Sequence, residues 1–496
     1  MAEGAAEGRL PASERKAGKT TVAVAGASGF VGSQLLPRLV GEFSVVGLTR
    51  RAQPRSDGVE WRACDLFSAR STEAALRGVD VAVYLVHSMM PSSRLFQGDF
   101  HDTDLLLADN FAKACAKQGV KQIVYLGGLV PSTGFVSKHL ESRQEVEGVL
   151  QASGIPVTCL RAGMVVGPGG SSFEILRALI IRLPWMILPT WTQSLGQAVF
   201  IDDILAVVHA AVLHPEFIGK TFDVVNGETL TYETMLRQAA HAMGLQRWMR
   251  AVPIASTSFS KRWVQLFSGA SFELVSPLID SLQCDLPQVS PSPTIASLIR
   301  YPTFARMLTE TLRRSPGPLF ARVAPARQPK TVRSIQRLPP MRDADSKFIS
   351  REYMAWLPRF FRAVIRVEWL SDERRVCFLL AFVPWPMLIL EHIDQGSGRD
   401  RDKLNIVGGL LSKTATTGWL EFRQIANRRY TLAAIHEFVP ALPWLLYIFT
   451  QAPIHAWVMR HFGSHLARVV QNLEPALASQ AVLKERKHVA LDAEKR

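Results

Sequence analysis

Three glycines, Gly26, Gly29 and Gly32, follow at even spacing the β-branched and alanine run Thr21-Val22-Ala23-Val24-Ala25. Behind them, Ser33-Gln34-Leu35-Leu36-Pro37-Arg38-Leu39-Val40 places apolar residues at helical spacing, so the stretch reads as strand, tight turn, helix. Each glycine has its own task. Gly26 turns the chain sharply off the strand, Gly29 lets backbone approach a pyrophosphate, and Gly32 brings the helix close to the sheet. The helix start offers unpaired N–H groups and a partial positive charge to phosphate. The chemistry is the binding of a dinucleotide.

A second chemical signal follows the next apolar run, Phe43 to Thr49, which ends in Arg50-Arg51. A site that selects NAD places an acidic residue about 20 positions past the glycine loop, on the ribose 2′-OH. A basic pair there fits a 2′-phosphate through charge-assisted hydrogen bonds, so NADP is expected over NAD. The plainer alternative is that the arginines solvate a strand end. Further on, Val59 to Leu66 reads as a third strand ending at Asp65, which either accepts from the adenine amino group or caps its own turn.

The elements that must hold these residues alternate. Val79 to Val86 is almost continuously apolar, as a strand buried on both faces requires, and it opens onto His87-Ser88-Met89-Met90. Leu105 to Gln118 is an amphipathic helix closed by Gly119, and Gln122 to Leu126 is a fifth strand ending at Gly127-Gly128. This order predicts an α/β fold, a Rossmann-like doubly wound parallel sheet with its ligand at the carboxyl ends of the strands.

Across roughly residues 20 to 300 the chain resembles the atypical, NmrA-like NAD(P)-binding branch of the short-chain dehydrogenase/reductase superfamily. The resembling residues are the three glycines, Cys64-Asp65-Leu66, Tyr84-Leu85-Val86-His87-Ser88, Tyr125-Leu126-Gly127-Gly128-Leu129, Leu160 to Gly167, Phe200-Ile201-Asp202-Asp203 and Thr221-Phe222-Asp223-Val224. The resemblance implies cofactor contacts from Gly26, Ser28, Gly29, Phe30, Val31, Gly32, Arg50, Arg51, Asp65, Leu66, Val86 and His87. It also implies an oxidoreductase, with one departure. Active members usually carry Y-x-x-x-K with an upstream Ser, where Tyr is the acid/base and Lys lowers its pKa. Here the corresponding run is His139-Leu140-Glu141-Ser142-Arg143, and Gly128 stands where the Ser would. His139 and Arg143 are therefore the catalytic candidates, since imidazole titrates near neutrality and a guanidinium one turn away lowers its pKa or holds a cofactor ribose or phosphate. The competing reading is lost catalysis and a non-catalytic NADP(H) sensor or assembly factor, because a neighbouring cation opposes protonation of His139.

The run Phe173 to Trp191 is strongly apolar, and in the superfamily this part closes over substrate, so a hydrophobic or lipid-like substrate is implied, with ordinary core as the alternative. Asp202-Asp203 reads as a helix N-cap, not a metal pair.

With 496 residues, 48% hydrophobic and 20% charged, the chain is long enough for two or three domains. The formal charge of +14 is spread along the chain and no nucleic-acid motif accompanies it, so anionic cofactors or a membrane surface are the expected partners, not nucleic acid. Cys64, Cys115, Cys159, Cys284 and Cys377 are scattered without C-x-x-C pairing, which predicts a reduced, cytoplasmic protein.

The domain scheme that follows is a disordered leader over 1–19, the NAD(P)-binding domain with its lid over 20–312, a Pro/Arg-rich linker over 313–341, a smaller α+β domain over 342–480 and a charged tail over 481–496. In the α+β part, Val364 to Trp369, Val376 to Phe382, Met387 to His392, Leu404 to Val407, Leu420 to Ile425 and Tyr430 to Phe438 read as strands, the last two joined as a hairpin at Ala426-Asn427-Arg428-Arg429. A helix-grip-like shell with an apolar cavity is expected, and the run from Trp419 to Phe462 resembles an uncharacterised domain fused behind such NAD(P)-binding domains in bacteria. Phe438 to Met459 contains no Asp, Glu, Lys or Arg, but Pro440, Pro443 and Pro453 interrupt it, which favours a buried helix starting near Pro443 over a membrane span. His461 and His465 share a helical face without a third ligand, so no metal is expected.

Overall fold

The computed structural model describes residues 18–50, 58–88, 95–131, 134–253, 257–315, 331–362, 364–370, 374–413 and 418–493. Arg51, Met89, Met90, most of the leader and much of the expected linker lie outside them.

The first strands are β1 (Thr21–Ala25), β2 (Ser44–Thr49), β3 (Val59–Ala63) and β4 (Val81–Tyr84). A short β5 (Leu95–Gln97) precedes β6 (Gln122–Gly128) and β7 (Val157–Ala162). With the strand Thr221–Val224 they form a seven-stranded parallel sheet in the order Thr221–Val224, β7, β6, β4, β1, β2, β3, from which β5 is absent. The order reverses between β1 and β4. Strands buried on both faces must be apolar throughout, and β1, β4 and most of β2 are.

Helices α1 (Phe30–Leu39), α2 (Ala69–Ala75), α3 (Phe100–Gln118) and α4 (Lys138–Gln151) cover the sheet. α3 begins five residues earlier than its apolar periodicity suggests, because Phe100 and the polar residues His101, Asp102, Thr103 and Asp104 already belong to it. It ends at Gly119, whose φ of 72° supplies the left-handed cap. α5 (Ser171–Arg182), α6 (Ile201–Leu213), α7 (Tyr232–Ala242), α8 (Thr257–Ser268) and α9 (Phe272–Ser281) complete the lid side. Asp202 and Asp203 do not cap α6. Asp202 takes Arg38 at 2.7 Å and Arg314 at 2.6 Å, and Asp203 accepts the backbone N–H of Arg300 and Tyr301.

The six strands expected beyond residue 364 are all present as an antiparallel meander from Ile365–Trp369 to Tyr430–Phe438. The last hairpin turns through Ala426, Asn427 and Arg428, all with positive φ. Two further strands extend the sheet to eight, and they alter the domain scheme. Val332–Leu338, assigned above to the linker, pairs antiparallel with Tyr430–Phe438, and β5 of the first domain pairs parallel with Val332–Leu338 at the edge. A strand of basic, alternating residues bounded by prolines reads as linker when nothing shows its partner on either side.

Alternation decides which way this sheet faces. Along Val332–Leu338, Arg333, Ile335 and Arg337 point to the first domain, where Ile335 joins the core around α2 and α3 together with Ile425, Leu432 and Ala434. The opposite face packs on the helices Ser346–Phe360 and Gln451–Ala493 through Tyr353, Trp356, Phe422 and Phe462. Aromatic side chains fill this space, and the apolar cavity described below lies in the first domain. The run Phe438 to Met459 does start a helix at Pro443, but Thr450 breaks it into Trp444–Phe449 and Gln451 onward, and its outer face is exposed. No helix of the described residues is long and apolar enough to cross a membrane.

Candidate functional site

The glycine turn sits at the carboxyl end of β1, where the strand order reverses. Gly26 has φ +85°, and a Cβ there would stand 3.1 Å from the Leu85 backbone. Gly32 is still more constrained, since its Cβ would lie 2.2 Å from the Gly26 carbonyl oxygen. α1 starts at Phe30 with no side chain capping it and no acidic residue in its first turn. An N-terminus left this way has N–H groups and dipole free for an anion. Arg50 stands exposed at the end of β2, the strand beside β1, and makes no ion pair among the described residues.

The other expected nucleotide contacts divide. Asp65 behaves as the turn-capping alternative foresaw. Its Oδ1 accepts from Phe67 N at 3.2 Å, while Oδ2 takes Arg333 of the second sheet at 3.2 Å. The Leu66 carbonyl accepts from Asn110 at 2.7 Å. Val86 and His87 follow β4 and turn toward α4, and Val86 O receives Arg143 Nη1 at 3.5 Å.

His87, His139 and Arg143 meet around a residue that sequence reasoning missed, Asp104 on α3. Its Oδ2 takes Arg143 Nη2 at 2.7 Å, Ser142 Oγ at 3.1 Å and His87 Nδ1 at 2.8 Å, and its Oδ1 takes Ser88 Oγ at 2.6 Å and Ser88 N at 2.9 Å. The side chain of Asp104 is 1% exposed. Burial alone would raise its carboxyl pKa, but Arg143, and after it His87, outweigh burial and hold it well below the usual carboxylate range. A carboxylate only accepts, so Nδ1 of His87 carries the proton. Arg143 Nη2 crowds the same nitrogen but has the carboxylate oxygen as its acceptor. The signal in the sequence was the second of two acids, Asp102 and Asp104, just ahead of Leu105-Leu106-Leu107, a place that helix periodicity alone reads as surface.

His87 and His139 lie edge to face with ring centroids 4.8 Å apart. Nε2 of His87 and Nδ1 of His139 are buried and make no hydrogen bond among the described residues. Burial, then Arg143, lowers the His87 pKa; burial, then His87 and Arg143, lowers that of His139 well below its ordinary value. Both shifts favour the neutral ring over the imidazolium.

His139 and Arg143 form one wall of a cavity of about 340 Å³. The cavity starts at Phe30 of the glycine turn, passes Gly127 and Gly128 at the end of β6, and runs under the lid. There its lining is aliphatic and aromatic, from α5 (Ile175, Leu179), α7 (Leu236), α8 (Val264) and α9 (Leu278, Ile279). Gly128, standing where a Ser was expected, packs on Leu140 and the Arg143 stem, and a Cβ there would lie 3.3 Å from the Leu140 side chain, which must give by a few tenths of an ångström to admit it.

Among the described residues one group of possible metal ligands is close together, His101, Glu141 and Glu145. Arg337 already occupies it, with Glu145 bidentate at 2.9 Å and Asp102 at 2.7 Å. His461 bonds the Trp457 carbonyl and His465 bonds Glu352, so that pair does not converge either.

A glycine turn at the reversal point of a parallel sheet, leading into an uncapped helix, defines a dinucleotide-binding Rossmann-like domain. Residues 26–178 match the sequence profile of a family described as NAD(P)H-binding. The chain is 22% identical over 301 residues to UDP-glucose 4-epimerase of Vibrio cholerae, spanning 55% of this chain and 89% of that protein. It is 29% identical over 113 residues to the auxiliary protein GraX of Staphylococcus aureus (strain NCTC 8325 / PS 47), spanning 22% of this chain and 37% of that one. Among solved structures it is similar to the Citrobacter sp. triphenylmethane reductase complexed with NADP(H), at 18% identity and TM-score 0.47, covering 58% of this chain and 99% of that one. Residues 26–178 thus carry an NAD(P)H-binding domain.

Proposed function

We propose that this protein is an NADP(H)-dependent oxidoreductase whose substrate is a hydrophobic carbonyl or alkene held under the lid. The observation that carries this reading is the apolar cavity of about 340 Å³ that begins at the glycine turn and has His139 and Arg143 on its wall. Its volume lies at the lower end of the range for small-molecule sites. A nucleotide sugar, as in the name of the Vibrio relative, needs polar partners for its hydroxyls, and the lid sets few of them, Ser171, Ser172, Ser281 and Tyr232, in a lining that is mainly leucine, isoleucine and valine.

Gly26, Ser28, Gly29, Phe30, Val31 and Gly32 would hold the diphosphate, and Arg50 the 2′-phosphate. When bound, the nicotinamide supplies the hydride. Neutral His139 donates an N–H to the substrate oxygen, since its imidazole retains one proton in either tautomer. Asp104 holds Arg143 and His87 in place behind it, and the lid keeps water away, which strengthens every polar contact inside. Five free, buried cysteines suit a reducing compartment such as the cytoplasm.

The test is NADPH consumption by the purified chain with a panel of apolar carbonyls, quinones and activated alkenes. His139→Ala is expected to lower turnover roughly 100-fold or more, the usual effect of losing one aimed donor, with NADPH affinity unchanged. Unaltered turnover removes His139 from the site. Arg50→Ala is expected to weaken NADPH binding by about 10- to 100-fold, the worth of a hydrogen bond to a charged group, and to leave NADH binding as it was. Equal losses for both nucleotides would refute the 2′-phosphate role. The low pKa of His139 favours a second reading, a non-catalytic NADP(H) sensor or assembly factor; tight NADPH binding without turnover across the panel selects it.

A further inference from the structure

We propose that one end of the C-terminal sheet is a docking surface for an anionic lipid bilayer. Three turns meet at that end. Leu410 N donates to Pro386 O at 3.0 Å, and Ala441 N donates to Leu411 O at 3.0 Å, which joins the turn before Pro386, the turn after Gly408 and the segment leading to the helix Trp444–Phe449. Each carries large apolar side chains turned to solvent: Phe382 is 87% exposed, Trp385 64%, Leu445 69% and Phe449 77%. Trp457 extends the patch along the next helix and packs on Phe360 and Phe361. Soluble surfaces scatter such residues singly, and an assembly of this kind marks a contact with something apolar.

Charge selects the occupant. The chain has no Asp or Glu between Glu437 and Glu474, a stretch that contains the helix Trp444–Phe449 and the first half of the helix Gln451–Ala493. Around the patch stand exposed cations: Lys413, whose N–H bonds Val439 O, Arg362 next to Phe361, and Arg460 one turn beyond Trp457. Glu368 and Arg366, near Phe382 on the neighbouring strand, offset each other, and Glu352 is engaged by His465 and Arg359. Leucine, tryptophan and phenylalanine surrounded by lysine and arginine, on helices of which none described is both long and apolar enough to span, suit the headgroup region of a membrane with negative lipids. A second copy of the chain would bring the same positive rim against itself.

The test is flotation of the full chain with phosphatidylcholine vesicles and with vesicles containing phosphatidylglycerol. Binding is expected to the anionic vesicles, at least 10-fold weaker to the neutral ones, and weaker still in high salt. The double variant Leu445→Glu/Phe449→Glu changes only exposed positions and is expected to abolish flotation while NADPH affinity, read by calorimetry, stays the same. No binding to anionic vesicles, binding that ignores lipid charge, or a double variant that still floats overturns the proposal. So does a wild-type dimer that the double variant dissociates without any vesicle binding, which would give this face to a second copy. The nucleotide measurement is independent of the vesicles, so failure here leaves the reading of the first domain standing.

Discussion

Asp104→Ala is expected to destabilise the protein by about 3–5 kcal/mol, the cost of removing one partner from a buried ion pair. Arg143, 7% exposed, then keeps its charge in the interior with no carboxylate, and His87, Ser88 and Ser142 lose a common acceptor. Because Arg143 and His139 sit on adjacent turns of α4, the wall of the cavity loosens as well, and turnover should fall by more than stability alone explains. Denaturant midpoints of wild type and variant, followed with NADPH consumption below the transition, measure both effects. Asp202→Ala is the control. It removes the partner of two more exposed arginines and is expected to change stability by about 0–1 kcal/mol. A midpoint for Asp104→Ala no lower than that of the control refutes the anchoring role. The sign with pH follows from the depressed pKa. The contribution of Asp104 is fully present above the unfolded carboxylate value of about 4 and is lost as pH falls through the lower folded value.

The second large effect is expected at the glycine turn. In Gly32→Val the first added carbon meets Gly26 O at 2.2 Å and Ala27 Cα at 2.8 Å, both backbone, so no rotamer relieves the clash and α1 must move off the turn. Overpacking of this kind costs about 1–3 kcal/mol, and a shift of the helix start also misplaces the N–H groups meant for phosphate. NADPH affinity should drop about 100-fold, equivalent to roughly 3 kcal/mol, in calorimetry. Gly148→Ala, where nothing lies within 4 Å of the new carbon, should leave affinity unchanged. Full NADPH affinity in Gly32→Val would mean that the nucleotide binds elsewhere.

Much of the first domain was legible because its signals are local. A sheet buried on both faces demands unbroken apolar strands, and Gly29 and Gly32 answer to contacts within a few residues of themselves, with only Gly26 answering also to Leu85, so strand, turn and helix could be read from adjacent letters. The meander after residue 364 was legible for a similar reason, as each strand pairs with its neighbour in sequence. What escaped reading involves partners far apart in the chain. Val332–Leu338 looked like linker because the strand it pairs with lies about a hundred residues later, and the edge strand Leu95–Gln97 comes from the other domain. Asp104 went unread because Arg143, which makes its burial tolerable, is on another helix. Asp65 had two readings, and only Arg333 arriving from the second sheet shows where its outer oxygen is engaged.

By itself the sequence determined that three glycines follow the first strand at a spacing suited to a dinucleotide, that a basic side chain follows the second strand, and that His139 and Arg143 stand where the resemblance expects Tyr and Lys. These depend on conformational freedom, charge and spacing, which residue types carry with them. Only the tertiary structure decided that burial favours the neutral form of His139, that the apolar cavity lies under the first domain's lid, and that the second sheet docks through Arg333, Arg337 and Arg423 onto carboxylates of the first domain. Burial and ion pairing are properties of what surrounds a residue, and those surroundings come from parts of the chain that sequence order keeps apart.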